Sequence, residues 1–219
     1  MLVMPRLPGV LFKYTRQEHA DAMIRRGSFR IGTLYEFRKV EAHGPEVGDE
    51  GEGTKQVFDI ANGHWRDVTA RPNLAQRFIA ADPNANITFK NVGFQVDHEA
   101  PDAFVYCVTA IMDHRAMRDF GADTCVEITN PKRFFEELDH VLRTRHLVGE
   151  SVTAPCFYGE RRRHIITDGN LHPAFLKPPR YAYQREIRVV WEARQPPIGP
   201  IIVESLPASQ YLRQRSLAA

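Results

Sequence analysis

The chain lacks most of the features that announce a function directly. It has only three cysteines, Cys107, Cys125 and Cys156, widely spaced and with no CxxC pair. An odd, scattered set of this kind reads as buried free thiols, not a disulfide framework. Closely spaced Cys or His ligands are missing, which argues against a structural zinc and leaves no metal assigned. No apolar run approaches the ~18–20 residues needed to cross a bilayer. The first residues lack the charged start and long apolar stretch of a signal peptide. The expectation is a cytoplasmic protein that makes no use of a membrane. GxGxxG, Walker and HExxH motifs are absent, as are internal repeats and low-complexity tracts. Neither sign of charge dominates: 29 basic and 27 acidic residues give a net charge of +2. That balance neither demands nor excludes nucleic acid.

What is present is the composition of a globular protein. A chain of 219 residues, 43% of them hydrophobic, can bury a substantial core without staples. One domain over residues 1–219 is expected. Leu11–Thr15 reads as a short strand. Thr15-Arg16-Gln17-Glu18 matches a capping box, in which Thr15 and Glu18 exchange bonds with each other's backbone N–H. The helix it opens carries Ala20, Met23 and Ile24 on one face. Gly27 suits the left-handed residue that ends such a helix, and Ser28–Tyr35 returns as a strand. Residues 42–53 carry four glycines and one proline and read as a loop.

Further along, Thr54–Ile60 is a predicted strand and Asn73–Ala80 a short helix. Ile87–Lys90 and Val92–Val96 form a predicted hairpin, and Ala103–Thr109 a buried strand. Asp113 should cap a helix to Phe120. Thr124–Thr129 is a strand, and Asn130-Pro131 opens a helix to about Arg143. Its apolar face is Phe134, Phe135, Leu138, Val141 and Leu142. The last third predicts strands at Ser151–Tyr158, Arg163–Thr167, Glu186–Glu192 and Pro200–Val203. Regular strand–helix alternation is missing, so the fold class is α+β, with a mostly antiparallel sheet and few helices.

The two ends of the chain carry the functional signal. Phe12-Lys13-Tyr14-Thr15 is a strand entering a helix that ends on glycine, and Gln184-Arg185-Glu186-Ile187-Arg188 opens a late strand. Together they resemble the ADP-ribosyltransferase superfamily. They are also similar to a poorly characterised group of bacterial phage-defence and abortive-infection proteins. Those open with a Tyr-Lys-Tyr-like strand and close with a Glu-x-Glu-x-Arg-like one. The resemblance implies a split, twisted antiparallel sheet and NAD as substrate. Glu186 would stabilise the cationic ribose formed as nicotinamide leaves. Gln184, two residues away and on the same strand face, would position the acceptor. Lys13, Tyr14, Thr15 and Arg16 would hold the cofactor where the family has a His or Arg. Tyr35 or Tyr106 would supply the ring that stacks on nicotinamide. The acceptor would be a protein or nucleic acid, with an antitoxin or sensor as possible partner.

Other readings stay open. Glu186 can instead form a surface pair with Arg188 or Arg16. Arg161, Arg162 and Arg163 lie beside Phe157 and Tyr158, a cation–aromatic mixture suited to a phosphate backbone and bases, or else to a basic hairpin tip. On that basis the chain would be a non-catalytic nucleic-acid-binding or phage-sensing module. A nuclease or phosphotransferase would use Lys13 and Arg16 on phosphate with Glu186 as base. His43, Asp49, Glu50 and Glu52 offer oxygen and nitrogen ligands but lack the ladder of a calcium loop. Cys156 with His164 or His172 would make a thiol and base, which spacing does not support.

Overall fold

A computed structural model of the chain describes residues 2–3, 6–39, 48–82, 84–195 and 198–215. The strands are β1 (Leu2–Val3), β2 (Leu11–Thr15), β3 (Ser28–Thr33), β4 (Thr54–His64), β5 (Thr88–Glu99), β6 (Ala103–Thr109), β7 (Thr124–Ile128), β8 (Val148–Pro155), β9 (Phe157–Tyr158), β10 (Arg162–His164), β11 (Leu176–Lys177), β12 (Glu186–Ala193), β13 (Ile201–Glu204) and β14 (Leu212–Arg215). The helices are α1 (Gln17–Arg26), α2 (Trp65–Thr69), α3 (Ala75–Phe78), α4 (His114–Asp119), α5 (Pro131–Thr144), α6 (Ile165–Asp168) and α7 (Leu206–Ser209). A 3-10 turn, Pro179–Gln184, leads into β12. The architecture is α+β, with mostly antiparallel sheets and few helices.

The main sheet runs β1-β8-β12-β6-β2-β7-β14, and β13 joins it through β3, which pairs with β6. All of these pairings are antiparallel except β1 with β8. One edge of β6 is fully occupied by β12. The other is shared: β2 meets it at Phe12 opposite Thr109, and β3 at Gly32 and Thr33 opposite Val105 and Phe104. The sheet therefore splits between β2 and β3. Tyr106, Cys107 and Val108 have no strand partner on that edge among the described residues. A smaller sheet, β10-β4-β5, lies apart from it.

The core forms on one face of the main sheet. Asn130 caps α5 by accepting from the Arg133 N–H at 3.2 Å, and Pro131 occupies the first turn. Phe134, Phe135, Leu138 and Leu142 of α5 are buried with Phe29, Tyr106, Val189 and Trp191. Each such side chain contributes about 1.5–3 kcal/mol by leaving water. The buried Trp191 N–H finds Asp139 Oδ1 at 3.0 Å. Strand periodicity sends Ile187, Val189 and Trp191 of β12 into this core. It sends Glu186, Arg188 and Val190 to the opposite face. There Val190 packs with Leu34, Val105 and Phe175.

Several local expectations are corrected. Helix α1 starts at Gln17, not Thr15, and no capping box forms. Thr15 stays in the β2 ladder opposite Thr124, and Arg16 continues the extended backbone. The Gln17 N–H is satisfied instead by Asp123 Oδ1 at 2.8 Å. The hairpin expected over residues 87–96 is a single strand, β5, paired along β4. Asn91, at φ 53°, makes a local irregularity where the β4 register shifts. Asparagine tolerates that conformation without reversing the chain. The strand expected over 163–167 stops at His164, whose side chain caps α6. The strand expected over 151–158 breaks at Cys156 between β8 and β9.

Gly27 does end α1 in the left-handed region, at φ 62°. A Cβ there would lie 2.5 Å from the Ser205 carbonyl oxygen. Gly27→Ala should therefore cost more than about 1 kcal/mol and lower Tm by several degrees, as read by thermal unfolding.

Candidate active site

Residues from both ends of the chain line one pocket at the split. Its walls include Phe12, Lys13 and Tyr14 of β2, Cys107, Val108 and Thr109 of β6, and Lys177, Gln184, Glu186 and Arg188. Phe37 and Phe120 add aromatic surface, and the cavity volume is about 220 Å³. That is room for a ring and one sugar, not for a whole dinucleotide.

Lys13 sits where the sheet lacks a strand. Its Nζ donates to the Cys107 carbonyl at 2.8 Å, so a side chain satisfies a backbone acceptor that the split leaves without a ladder partner. The ammonium is 4.7 Å from the Tyr106 ring. Burial lowers its pKa. Among the described residues no carboxylate lies within ion-pair distance of it. Tyr14 donates to the Ile111 carbonyl at 3.1 Å and accepts from the Asp113 N–H at 2.5 Å. Its ring packs 5.9 Å from that of Phe120.

Glu186 opens β12 and is fixed by backbone and side-chain contacts. Its N–H donates to the Tyr158 hydroxyl at 2.7 Å, and its carbonyl accepts from Cys156 at 2.9 Å. Arg188 Nε reaches Oε1 at 2.6 Å and Lys177 Nζ reaches Oε2 at 2.7 Å. Lys177 also donates to Gln184 Oε1 at 2.7 Å. Arg188 continues the chain of charges, with its two Nη atoms 2.7 and 2.9 Å from the two oxygens of Glu52. Glu52 is 0% exposed and Arg188 1%. Burial opposes ionisation of Glu186, but Arg188 and Lys177 outweigh it and hold the carboxyl well below the usual range. Burial likewise works against the Lys177 ammonium, and the acidic groups around it, Glu186 first and then Glu52 and Cys156, together more than compensate, raising its pKa. The lysines and Arg188 together outnumber Glu186 and Glu52 by one positive charge, and the excess rests on Lys13.

Gln184 and Glu186 face the same pocket, but not by simple strand alternation. Gln184 ends the 3-10 turn, and Arg185 bridges to β12 in the left-handed region at φ 47°. Thr109 Oγ1 holds the Gln184 carbonyl at 2.7 Å, and the Ala110 N–H holds that of Arg185 at 3.0 Å.

The remaining candidates lie elsewhere. Thr15 and Arg16 do not line the pocket. Tyr35 donates to Glu99 and to the Ala100 carbonyl under the Arg38 guanidinium, away from Glu186. Tyr106 is buried beneath Lys13. Arg161 pairs with Asp49, Arg163 pairs with Asp168 at 3.3 Å, and exposed Arg162 lies 4.5 Å over the Phe58 ring. Asp49 and Glu52 are thus engaged by arginines, and His43 lies outside the described residues. Among the described residues no group of three His, Cys, Asp or Glu is placed to hold a metal. Burial raises the Cys156 thiol well above its ordinary value and pushes Cys107 up to about 12, so neither is a ready nucleophile.

Lys177 is the principal residue that the sequence did not single out. It lies in a two-residue strand between apolar residues and a proline pair, with no periodicity to mark it. Glu52 drew notice only as a loop carboxylate. No protein-family model, curated protein or solved structure matches the chain, and no helix is long and apolar enough to cross a membrane.

Two outcomes test this geometry. Glu52→Ala leaves the Arg188 charge partly uncompensated and should cost about 3–5 kcal/mol in urea unfolding. Because Glu186 has a lower pKa folded than unfolded, its stabilising contribution is complete above the unfolded glutamate pKa, about 4.3, and is lost as pH falls toward the folded value. Wild type should thus lose stability below about pH 5 more steeply than Glu186→Gln, as read by urea midpoints across that range.

Proposed function

We propose that the chain is an NAD-dependent ADP-ribosyltransferase that modifies an intracellular macromolecule. The observation that carries this reading is the meeting of Lys13 and Tyr14 with Gln184 and Glu186 in one pocket at the split of the sheet. The pocket takes nicotinamide and its ribose between aromatic walls, with the pyrophosphate outside and the Lys13 charge drawing it in. A carboxylate offers about four acceptor positions. Arg188 and Lys177 occupy two on Glu186. A remaining one accepts the ribose 2′-hydroxyl, and the ionised carboxylate stabilises positive charge on the sugar. The C1′–N bond breaks and its electron pair leaves with nicotinamide. An acceptor oriented by Gln184 bonds C1′ and releases its proton to solvent. The resemblance adds a role in phage defence or a toxin system, with an antitoxin or sensor partner.

A second reading rests on the internal pairing of the same charges. Glu186, Arg188, Lys177 and Glu52 satisfy one another. In that case the cluster holds the fold, and the pocket binds a ligand without turning it over.

Nicotinamide release from NAD, measured by chromatography with and without cell extract, separates the two. Wild type should release nicotinamide, and Glu186→Gln should lower the rate about 10²–10³-fold. Gln184→Ala, checked for folding by circular dichroism, should reduce transfer to acceptor more than hydrolysis. Folded wild type that releases nothing, and whose Tm does not rise with NAD, sinks the catalytic reading.

A further inference from the structure

A second, larger cavity of about 680 Å³ lies against the other side of the Gln184–Ile187 segment. The segment acts as a wall. Gln184 and Glu186 line the first pocket, Arg185 and Ile187 line the second, and Glu186 borders both. The floor of the second cavity is apolar, with Leu7, Pro8 and Ile187, and Tyr158 and Tyr183 add aromatic surface.

Its exposed charge is of one sign. Arg6 and Arg185 line it, both exposed and neither with a carboxylate partner among the described residues. The Arg115 guanidinium, itself paired with Asp119 at 3.7 Å, is 5.2 Å from the Tyr183 ring. Glu186 is the one carboxylate among the lining residues, and its charge is neutralised on the far side by Arg188 and Lys177. Arg185 is held at φ 47° by its bonds to Ala182 and Ala110. That conformation costs a non-glycine residue strain, yet it is what brings a guanidinium to this rim.

An apolar and aromatic cavity under unpaired arginines complements a nucleotide: the base enters, and the flanking phosphates meet the cations. An acidic peptide would use the arginines but leave the aromatic floor without a planar partner. We propose that this second pocket binds single-stranded nucleic acid, with one base against Tyr158 and Tyr183 and its phosphates on Arg6 and Arg185.

Fluorescence anisotropy with a labelled, mixed-sequence single strand of about 12 nucleotides, without NAD, tests the binding. Wild type should bind with an affinity that falls as salt rises. Arg185→Gly should weaken binding and reduce the salt slope by about one, while Tm stays level or rises because glycine relieves the strained backbone. Tyr183→Ala should weaken it about tenfold. Failure to bind at low salt, or retention of affinity by folded Arg185→Gly and Tyr183→Ala, overturns the proposal. Equal competition by polyglutamate overturns it in favour of an acidic protein. Nicotinamide release without strand binding sinks this inference alone. Strand binding without nicotinamide release supports this inference and sinks the NAD reading alone.

Discussion

The Arg188 guanidinium, buried between Glu52 and Glu186, is the interaction on which the rest of the site depends. Bringing these charges out of water costs several kcal/mol per ion, and only close, mutually satisfied geometry recovers it. Here that geometry is present: two contacts to Glu52, one to Glu186 and one to the Ala174 carbonyl. Each contact ties down a different part of the chain. Glu52 fixes the end of the glycine-rich segment, Ala174 fixes the turn before β11, and Glu186 fixes the start of β12. Lys177 then extends the network to Gln184. The segments around Glu52 and Ala174 lie outside the strand ladders, so the charges set their positions against β12, which is itself laddered to β6 and β8.

A second constraint is the split in the main sheet. An edge carbonyl without a strand partner needs another donor, and Lys13 supplies it at Cys107. The same lysine is thereby drawn into the wall of the pocket and partly stripped of water. The split thus creates both a cavity and a cation in it. Aromatic side chains from β2, from the turn after β3 and from the residue after α4 fill out the sides. Glu186 stays ionised because its two cationic partners outweigh its burial.

The Gln184–Ile187 wall separates the proposed NAD pocket from the proposed strand-binding cavity. A polar pair faces the smaller cavity while an arginine and an isoleucine face the larger one, Arg185 being turned there by its left-handed backbone. The strained Arg185 is consistent with a site in which local conformation serves binding more than stability.

The sequence by itself determined the α+β class and the places of several elements, β2, β6, β7, α5 and β12 among them, but not α2, α6, α7 or β14. Asn130-Pro131 before Phe134, Phe135, Leu138 and Leu142, Asp113 before α4, and Gly27 after α1 are local signals whose physics acts within a turn or two. The same local grammar misled where a distant partner won. Thr15 was claimed by the β7 ladder and not by a capping box, and Asn91 bent a strand instead of reversing it. Lys13, Tyr14, Gln184 and Glu186 were legible as candidates because residue type and order suffice to propose them. Their convergence was expected only through the resemblance, and the role of Lys177, the pairing of Glu52 with Arg188 and the displacement of Tyr35 from the pocket were not legible. Those depend on which buried charges face one another once the sheet has split, a long-range electrostatic outcome that no sequence spacing encodes.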